Sequence, residues 1–289
     1  MALPVVTVAA GGLPVVDVTA ASPRLGLGVT EAANGRGMAV TKVIAPKPGL
    51  AVTYVADAGA VAADPSFPNV GALAEFDGIH GQNSGYSEVK GKAATFSGTA
   101  MLSNAKKRFA LQTTSLFAGT GGIQFADSAD WDLADSNSDQ YTIEVSGNQV
   151  IALVTNWDLL GQFGGAGSYA WLMRWQASGE MVFYWSSDGS ALQSFNTTAG
   201  GATALDTWYD FCVEKNSAGK IRIYFNGVMK GSNTPANSAI FNAGAPLQVF
   251  NHGGAPPSGY VAHLRITKGV ARYNSDAGYT PSTGPYPVV

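Results

Sequence analysis

Residues 207–228 constrain this chain more than any other stretch. Thr207-Trp208-Tyr209-Asp210-Phe211-Cys212-Val213-Glu214-Lys215 alternates large apolar and polar side chains, the period of a half-buried strand. Lys220-Ile221-Arg222-Ile223-Tyr224-Phe225 repeats that period, with Ile221, Ile223 and Phe225 on one face and Arg222 and Tyr224 on the other. Asn226-Gly227 supplies the positive φ of a tight hairpin turn, and Asn216-Ser217-Ala218-Gly219 joins the first two runs. Three consecutive antiparallel strands follow, and much of the C-terminal region can be built around them.

The same signals recur upstream. Ala94-Thr95-Phe96, Ser115-Leu116-Phe117, Gly122-Ile123-Gln124-Phe125 and Gln140-Tyr141-Thr142-Ile143-Glu144-Val145 read as strands, as does Phe76-Asp77-Gly78. Tyr169, Trp171, Met173 and Trp175 share one face, and after a Ser178-Gly179 turn Met181, Phe183 and Trp185 return together. Leu247-Gln248-Val249-Phe250 and residues 260–267 follow. No helical period appears, so many short strands predict an all-β, antiparallel β-sandwich. Charged residues make up only 13% of the 289, with 36 glycines, which marks an ordered chain of strands and turns. A net charge of −3 argues against a nucleic-acid partner. The single cysteine, Cys212, excludes a disulfide or thiolate metal site within one chain and is expected to be a buried small hydrophobe.

Residues 1–59 carry a different pattern. Leu3-x-Val5-x-x-Val8, Leu13-x-Val15-x-x-Val18, Leu27-x-Val29-x-x-Ala32, Met38-x-Val40-x-x-Val43 and Leu50-x-Val52-x-x-Val55 are one repeated unit, each long enough for a short strand and a turn. The segment lacks Phe and Trp and buries little area against about 1–2 kcal/mol per residue of backbone entropy. It is therefore expected to dock onto a second copy or a partner surface, with Val15, Val29, Val40 and Val52 as anchors. Exposed strand edges suggest a homo-oligomer, a trimer being one form. The organisation expected is a docking arm over 1–60, a linker over 61–75 marked by Pro65 and Pro68, and a sandwich over 76–289 that folds alone. No basic residue precedes Arg24, and Pro4, Gly11, Gly12 and Pro14 break any helix, so neither a leader nor a membrane span is expected. Synthesis in the cytosol is the expectation.

Asp127, Asp130, Asp132 and Asp135 offer the hard oxygens that calcium prefers, but their spacing does not match an EF-hand loop. Aspartates in a turn-rich loop bond their own backbone, so no metal is expected. His80, His252 and His263 lack metal-ligand spacing and are assigned to polar surface or sheet-face positions, and no phosphate loop or dinucleotide fingerprint is present. No cofactor is expected.

Phe96-Ser97-Gly98-Thr99-Ala100-Met101-Leu102-Ser103, Ser115-Leu116-Phe117-Ala118-Gly119-Thr120-Gly121, residues 126–133 leading into Tyr141-Thr142-Ile143-Glu144, Thr207-Trp208-Tyr209 and Ile223-Tyr224-Phe225-Asn226-Gly227 together resemble the laminin G-like, concanavalin A-like lectin/glucanase superfamily. Leu264-Arg265-Ile266-Thr267-Lys268-Gly269-Val270-Ala271-Arg272-Tyr273, with Thr280-Pro281 after it, resembles the form of this domain in tailed-bacteriophage virion proteins, and the repeat arm is similar to segments of phage structural proteins. Where that family usually carries an acidic residue before the arginine, this chain reads Val261-Ala262-His263. The resemblance implies a jelly-roll sandwich displayed on a virion, with capsid decoration preferred. A glycan-binding adhesin of the collar, tail or fibre is the alternative, and a glycoside hydrolase comes third. The glucanase branch needs two glutamates at i and i+4, and none of Glu31, Glu75, Glu88, Glu144, Glu180 and Glu214 lies within four positions of another, so no enzyme activity is expected. For sugar binding, exposed aromatics beside polar loops are required, and Trp157, Phe163 and Tyr169 around Gly164-Gly165-Ala166-Gly167 are the candidates.

Overall fold

The computed structural model describes residues 29–31, 40–42, 63–110, 112–151, 156–197, 204–250 and 258–288. The chain forms two compact units, Met1–Asp64 with Pro287–Val289, and Pro65–Tyr286. In the first, β1 (Val29–Glu31) pairs antiparallel with β2 (Val40–Lys42), setting Val29 opposite Lys42 and Val40 opposite Glu31. Val15 and Val52 lie outside the described residues.

The second unit contains β3 (Val70–Ala74), β4 (Ala94–Phe96), β5 (Met101–Ser103), β6 (Ser115–Phe117), β7 (Ile123–Phe125) and β8 (Tyr141–Gln149). Next come β9 (Trp157–Phe163), β10 (Tyr169–Trp175), β11 (Met181–Trp185) and β12 (Gln193–Asn196). The last are β13 (Trp208–Lys215), β14 (Ile221–Phe225), β15 (Val228–Asn233), β16 (Leu247–Val249) and β17 (Gly259–Lys268). They build two antiparallel sheets, β12-β11-β10-β9-β16-β7-β4 and β15-β14-β13-β8-β17-β6-β5, with β3 also on β17. This is the expected sandwich. The β13-β14-β15 meander forms as read, and Asn226 (φ 49) and Gly227 (φ 77) take the positive φ of its second turn.

Between the sheets the alternating apolar faces meet. Trp171, Met173, Trp175, Met181, Phe183 and Trp185 oppose Ile143, Val145, Phe211, Val213 and Ile223 in one core. Trp175 is its hub, with ring centroids 4.8 Å from Phe211 and 5.6 Å from Trp157. Each fully buried large apolar side chain contributes about 1.5–3 kcal/mol.

Three local expectations need correction. Residues 61–75 are not all linker, because β3 lies within them, buried at every position and paired with β17. Its alternating Val, Gly, Ala and Leu are small, so the prolines ahead of it masked a strand. Its Gly71 is obligatory, since a Cβ there would meet the Asp130 carbonyl oxygen at 2.1 Å. Phe76 sits outside the strands at φ 51. Finally, β14 is buried on both faces, not one, because residues 270–286 cover Arg222 and Tyr224.

This C-terminal strap is fastened by polar groups on the outer face of the eight-stranded sheet. The Val270 carbonyl accepts from Thr142 Oγ1 at 2.9 Å, and Tyr273 N donates to Glu214 Oε2 at 3.0 Å. Tyr279 N donates to the Gly227 carbonyl at 2.7 Å, and the Tyr273 and Tyr279 rings stack at 3.7 Å. Glu144 receives two bonds from Arg265, at 2.6 and 2.9 Å, and one from the Tyr273 hydroxyl. Cys212, free and fully buried, lies opposite Glu144 on the adjacent strand.

Two predictions follow. A chain starting at Pro65 keeps β3 and is expected to melt cooperatively. One starting at Phe76 loses buried Val70 and Leu73, worth about 3–6 kcal/mol together, and equal melting midpoints for the two would show that β3 contributes nothing. The second concerns His263, which is 1% exposed, stacks on Phe109, lies against the tilted Tyr286 ring, and has Asp210 Oδ1 at 3.9 Å. Burial, then Arg108 and Arg265, holds its pKa well below 6.5. The unfolded chain therefore binds this proton first, and stability is lost as pH falls below about 6.5. Asp210 acts oppositely, its carboxyl raised by burial against the pull of Arg108. Its contribution is present below about pH 3.8 and lost as pH rises through the folded value. Melting at pH 7 and pH 5 should show a loss that His263→Gln reduces, by up to about 1.4 kcal/mol per pH unit.

Candidate functional site

The two sheets differ on their outer faces. The eight-stranded sheet is covered by the strap, whereas the outer face of the seven-stranded sheet carries half-buried or exposed polar side chains around a buried centre of Gly161, Leu172 and Val182. Register places Thr95, Gln124, Gln248, Gly161, Leu172, Tyr184 and Ser194 in one row across all seven strands. Thr95 and Ser194 at its ends are exposed, and Gln124, Gln248 and Tyr184 are half-buried. The row alternates with inward residues such as Leu160, Met173 and Phe183, so core packing on one side fixes what the other side presents.

The next row holds Asp158, Arg174, Val182 and Asn196. Arg174 Nε donates to Asp158 Oδ1 at 2.5 Å and Nη2 to Oδ2 at 3.0 Å, a two-bonded pair. The Asp158 carboxylate raises the Arg174 pKa, and the guanidinium also lies over the Tyr184 ring, 5.2 Å from its centroid. The face thus offers amide donors and acceptors from Gln124 and Gln248, hydroxyls from Thr95 and Ser194, and one aromatic ring held by a cation. Such a surface suits a ligand rich in hydroxyls.

The sequence-derived aromatic candidates do not come together on this face. Trp157 is 2% exposed and packs edge-on against Trp175 and Phe250 in the core, which removes it as a stacking platform. Its place in an alternating strand, opposite Trp175, was the signal for burial. Phe163 and Tyr169 stack on each other at 4.4 Å beside the hairpin that Gly165 and Gly167 turn with positive φ. They remain half-buried. Tyr184, Gln124 and Gln248 were missed, since each is a single polar residue in a different strand and only the register unites them.

The aspartates divide. Asp127 Oδ1 and Asp132 Oδ1 accept from Gln162 Nε2 at 3.1 and 3.2 Å, and Asn242 donates to Asp132 Oδ2 at 2.8 Å. Burial, with Asp127 adding to it, pushes the Asp132 carboxyl up. Asp130 pairs with Lys92, and Asp135 is exposed. Among the described residues no group of three or more His, Cys, Asp or Glu is arranged to hold a metal ion. His80 is exposed, His263 is on a sheet face but buried, and His252 lies outside the described residues.

Two antiparallel sheets of this size packed face to face define a lectin-like sandwich. Residues 117–271, more than half of the chain, match the family model of the Concanavalin A-like lectin/glucanases superfamily, and the chain belongs to that superfamily. Domain 4 of AbnA, a GH43 extracellular arabinanase from Geobacillus stearothermophilus solved in complex with arabinotriose, is similar at a TM-score of 0.51 and 19% identity. That match covers 74% of this chain and 96% of the domain. The binding domain of Paraclostridial Mosquitocidal Protein 1 is similar at 0.51 and 11%, covering 71% and 50%. The botulinum neurotoxin serotype G binding domain reaches 0.52 and 12%, covering 70% and 48%. This chain thus spans about half the length of those two toxin domains. At these identities the likeness concerns the fold. No curated protein matches the chain.

Gly161 tests whether the row depends on close strand approach. A Cβ there would meet the Trp171 carbonyl oxygen at 2.6 Å and Leu172 Cδ1 at 2.9 Å. Gly161→Ala is expected to destabilise by about 1–3 kcal/mol through this overpacking, read as a lower denaturation midpoint, and an unchanged midpoint would refute the close approach.

Proposed function

We propose that this protein is a structural protein of a tailed-bacteriophage virion, in which the N-terminal repeat arm docks to the particle and the sandwich binds glycans. The observation that carries the glycan-binding part is the open row from Thr95 to Ser194, with the amides of Gln124 and Gln248 and the ring of Tyr184. The arabinotriose complex of AbnA domain 4 supports it by likeness of fold. Binding without hydrolysis is the reading, because the seven strands hold one carboxylate, Asp158, and Arg174 already engages it, whereas glycoside cleavage uses two. The virion part rests on the Leu-x-Val repeats of residues 1–59 and on the segment from Leu264 to Tyr273, which resembles phage virion proteins. Decoration of the capsid surface is preferred over a collar or tail position. A homo-oligomer fits strand-length repeats whose small side chains bury little area.

The full-length protein on a glycan array should bind, and Tyr184→Ala or Gln248→Ala should weaken binding roughly 2- to 12-fold, or about 0.5–1.5 kcal/mol, with melting unchanged. Mixed with undecorated particles, the protein should bind, and Val15→Asp, Val29→Asp, Val40→Asp or Val52→Asp should reduce the bound fraction. Absence of the protein from purified virions by mass spectrometry would sink the virion reading. Binding to no glycan would sink the lectin one.

A further inference from the structure

The seven strands of the open sheet contain only two charged residues, Asp158 and Arg174. They face each other on neighbouring strands and bond twice. We infer that the Asp158–Arg174 pair makes this face selective for uncharged glycans, by occupying the one cation that an acidic sugar would need. The inference rests on the glycan-binding reading of the same face and names the class of glycan it takes.

First, every other polar group on the row, namely Thr95, Gln124, Gln248, Tyr184 and Ser194, is neutral, so the face matches hydroxyls and ring surfaces and offers no net charge. Second, a sulfate or carboxylate could take the Nε and Nη2 side of Arg174 only by displacing Asp158, and at Nη1 it would meet a guanidinium whose charge Asp158 already offsets. The Asp158 side chain is 11% exposed, so displacement would leave a mostly desolvated carboxylate without its partner. Third, Arg174 also lies over Tyr184, so drawing it toward an anion would disturb the ring on which a neutral sugar stacks. The net charge of −3 on the chain adds a weak general repulsion of anions. Asp158 is in this account a specificity-determining residue that acts through Arg174.

The test uses full-length protein on an array printed with neutral, sulfated and sialylated glycans. The parent is expected to bind neutral glycans at least 10-fold more tightly than acidic ones. Asp158→Asn frees Arg174 and should raise binding to sulfated or sialylated glycans by 10-fold or more, with a salt dependence that the parent lacks. The double variant Asp158→Asn with Arg174→Gln removes both charges, so it should show none of the acidic gain of Asp158→Asn alone, and any loss of neutral binding would report the support that Arg174 gives the Tyr184 ring. Thermal melting of each variant separates misfolding from altered specificity. Acidic glycans bound by the parent as tightly as neutral ones, and lost with Tyr184→Ala, would overturn the selectivity while leaving the lectin reading intact. An Asp158→Asn variant that melts like the parent yet gains no acidic binding would overturn it equally. Binding of the parent to nothing on the array would overturn both.

Discussion

Glu144 lies in the middle of the eight-stranded sheet with its side chain turned away from the core and only 2% exposed. A carboxylate in that position must be paired, because removing one partner of a buried ion pair costs about 3–5 kcal/mol. Arg265 on the adjacent strand supplies two of its bonds, and the Tyr273 hydroxyl supplies another from the strap. Tyr286 closes over the Arg265 guanidinium, 3.9 Å from it. Glu214 repeats the device one strand over, accepting from the Tyr224 hydroxyl at 2.6 Å and from Tyr273 N. The strap is thus a set of partners for charges that the sheet has turned outward, and the segment from Leu264 to Tyr273 owes its character to that task. Arg265, Thr267, Arg272 and Tyr273 all bond within this layer, with Arg272 reaching Thr267 Oγ1 at 2.6 Å.

That cover decides where a ligand can be met. With one outer face sealed by its own chain, the other is, on the proposed reading, where a ligand is met. Its chemistry is correspondingly different. Where the sealed face gathers Glu144, Glu214, Asp210, Arg265 and Arg222 into a charged layer, the other face has the single Asp158–Arg174 pair among neutral side chains. Charges under a strap are held apart from water and fix the strap in place, whereas neutral amides and hydroxyls on an open face remain solvated and can exchange water for a ligand at little cost.

The fold was legible because the alternation is strong. Residues such as Trp171, Met173 and Trp175 repeat at a period of two, and the turns carry Asn226-Gly227 and Ser178-Gly179, so strands and their junctions could be read directly. The strap was not legible, since alternation alone cannot distinguish a polar face in water from one covered by a distant segment. Arg222 and Tyr224 looked like solvent-facing residues, and only the strap at 270–286 buries them. β3 escaped for the opposite reason, its side chains being too small to signal a strand. The open row escaped because its members lie in seven separate strands, from Thr95 to Gln248, and no local spacing links them. Large aromatics drew attention instead, and for Trp157 the core was the stronger claimant. The loop glycines near Phe163 and Tyr169 were legible as turns, but a turn does not say which face its neighbours share.

An open, solvated face also bears on how such a protein would work. Each hydrogen bond made there replaces a bond to water and is worth about 0.5–1.5 kcal/mol net, and a ring contact at Tyr184 adds about as much. A few such contacts reach roughly the 4 kcal/mol of a millimolar complex, once the lost freedom of the ligand is counted. A single sandwich of this kind is therefore a weak binder by construction. Repetition changes that, because copies held on one scaffold meet a glycan surface at high effective concentration and gain about 10²–10⁴ in apparent affinity without new contacts. On the proposed reading, the arm and the sandwich are two halves of one device. The arm sets the copy number and spacing on the particle, and the neutral row of the seven-stranded sheet sets what the array can hold. The weakness of the individual contact then becomes useful, since a surface of readily broken contacts lets a particle move along a glycan layer while remaining attached to it.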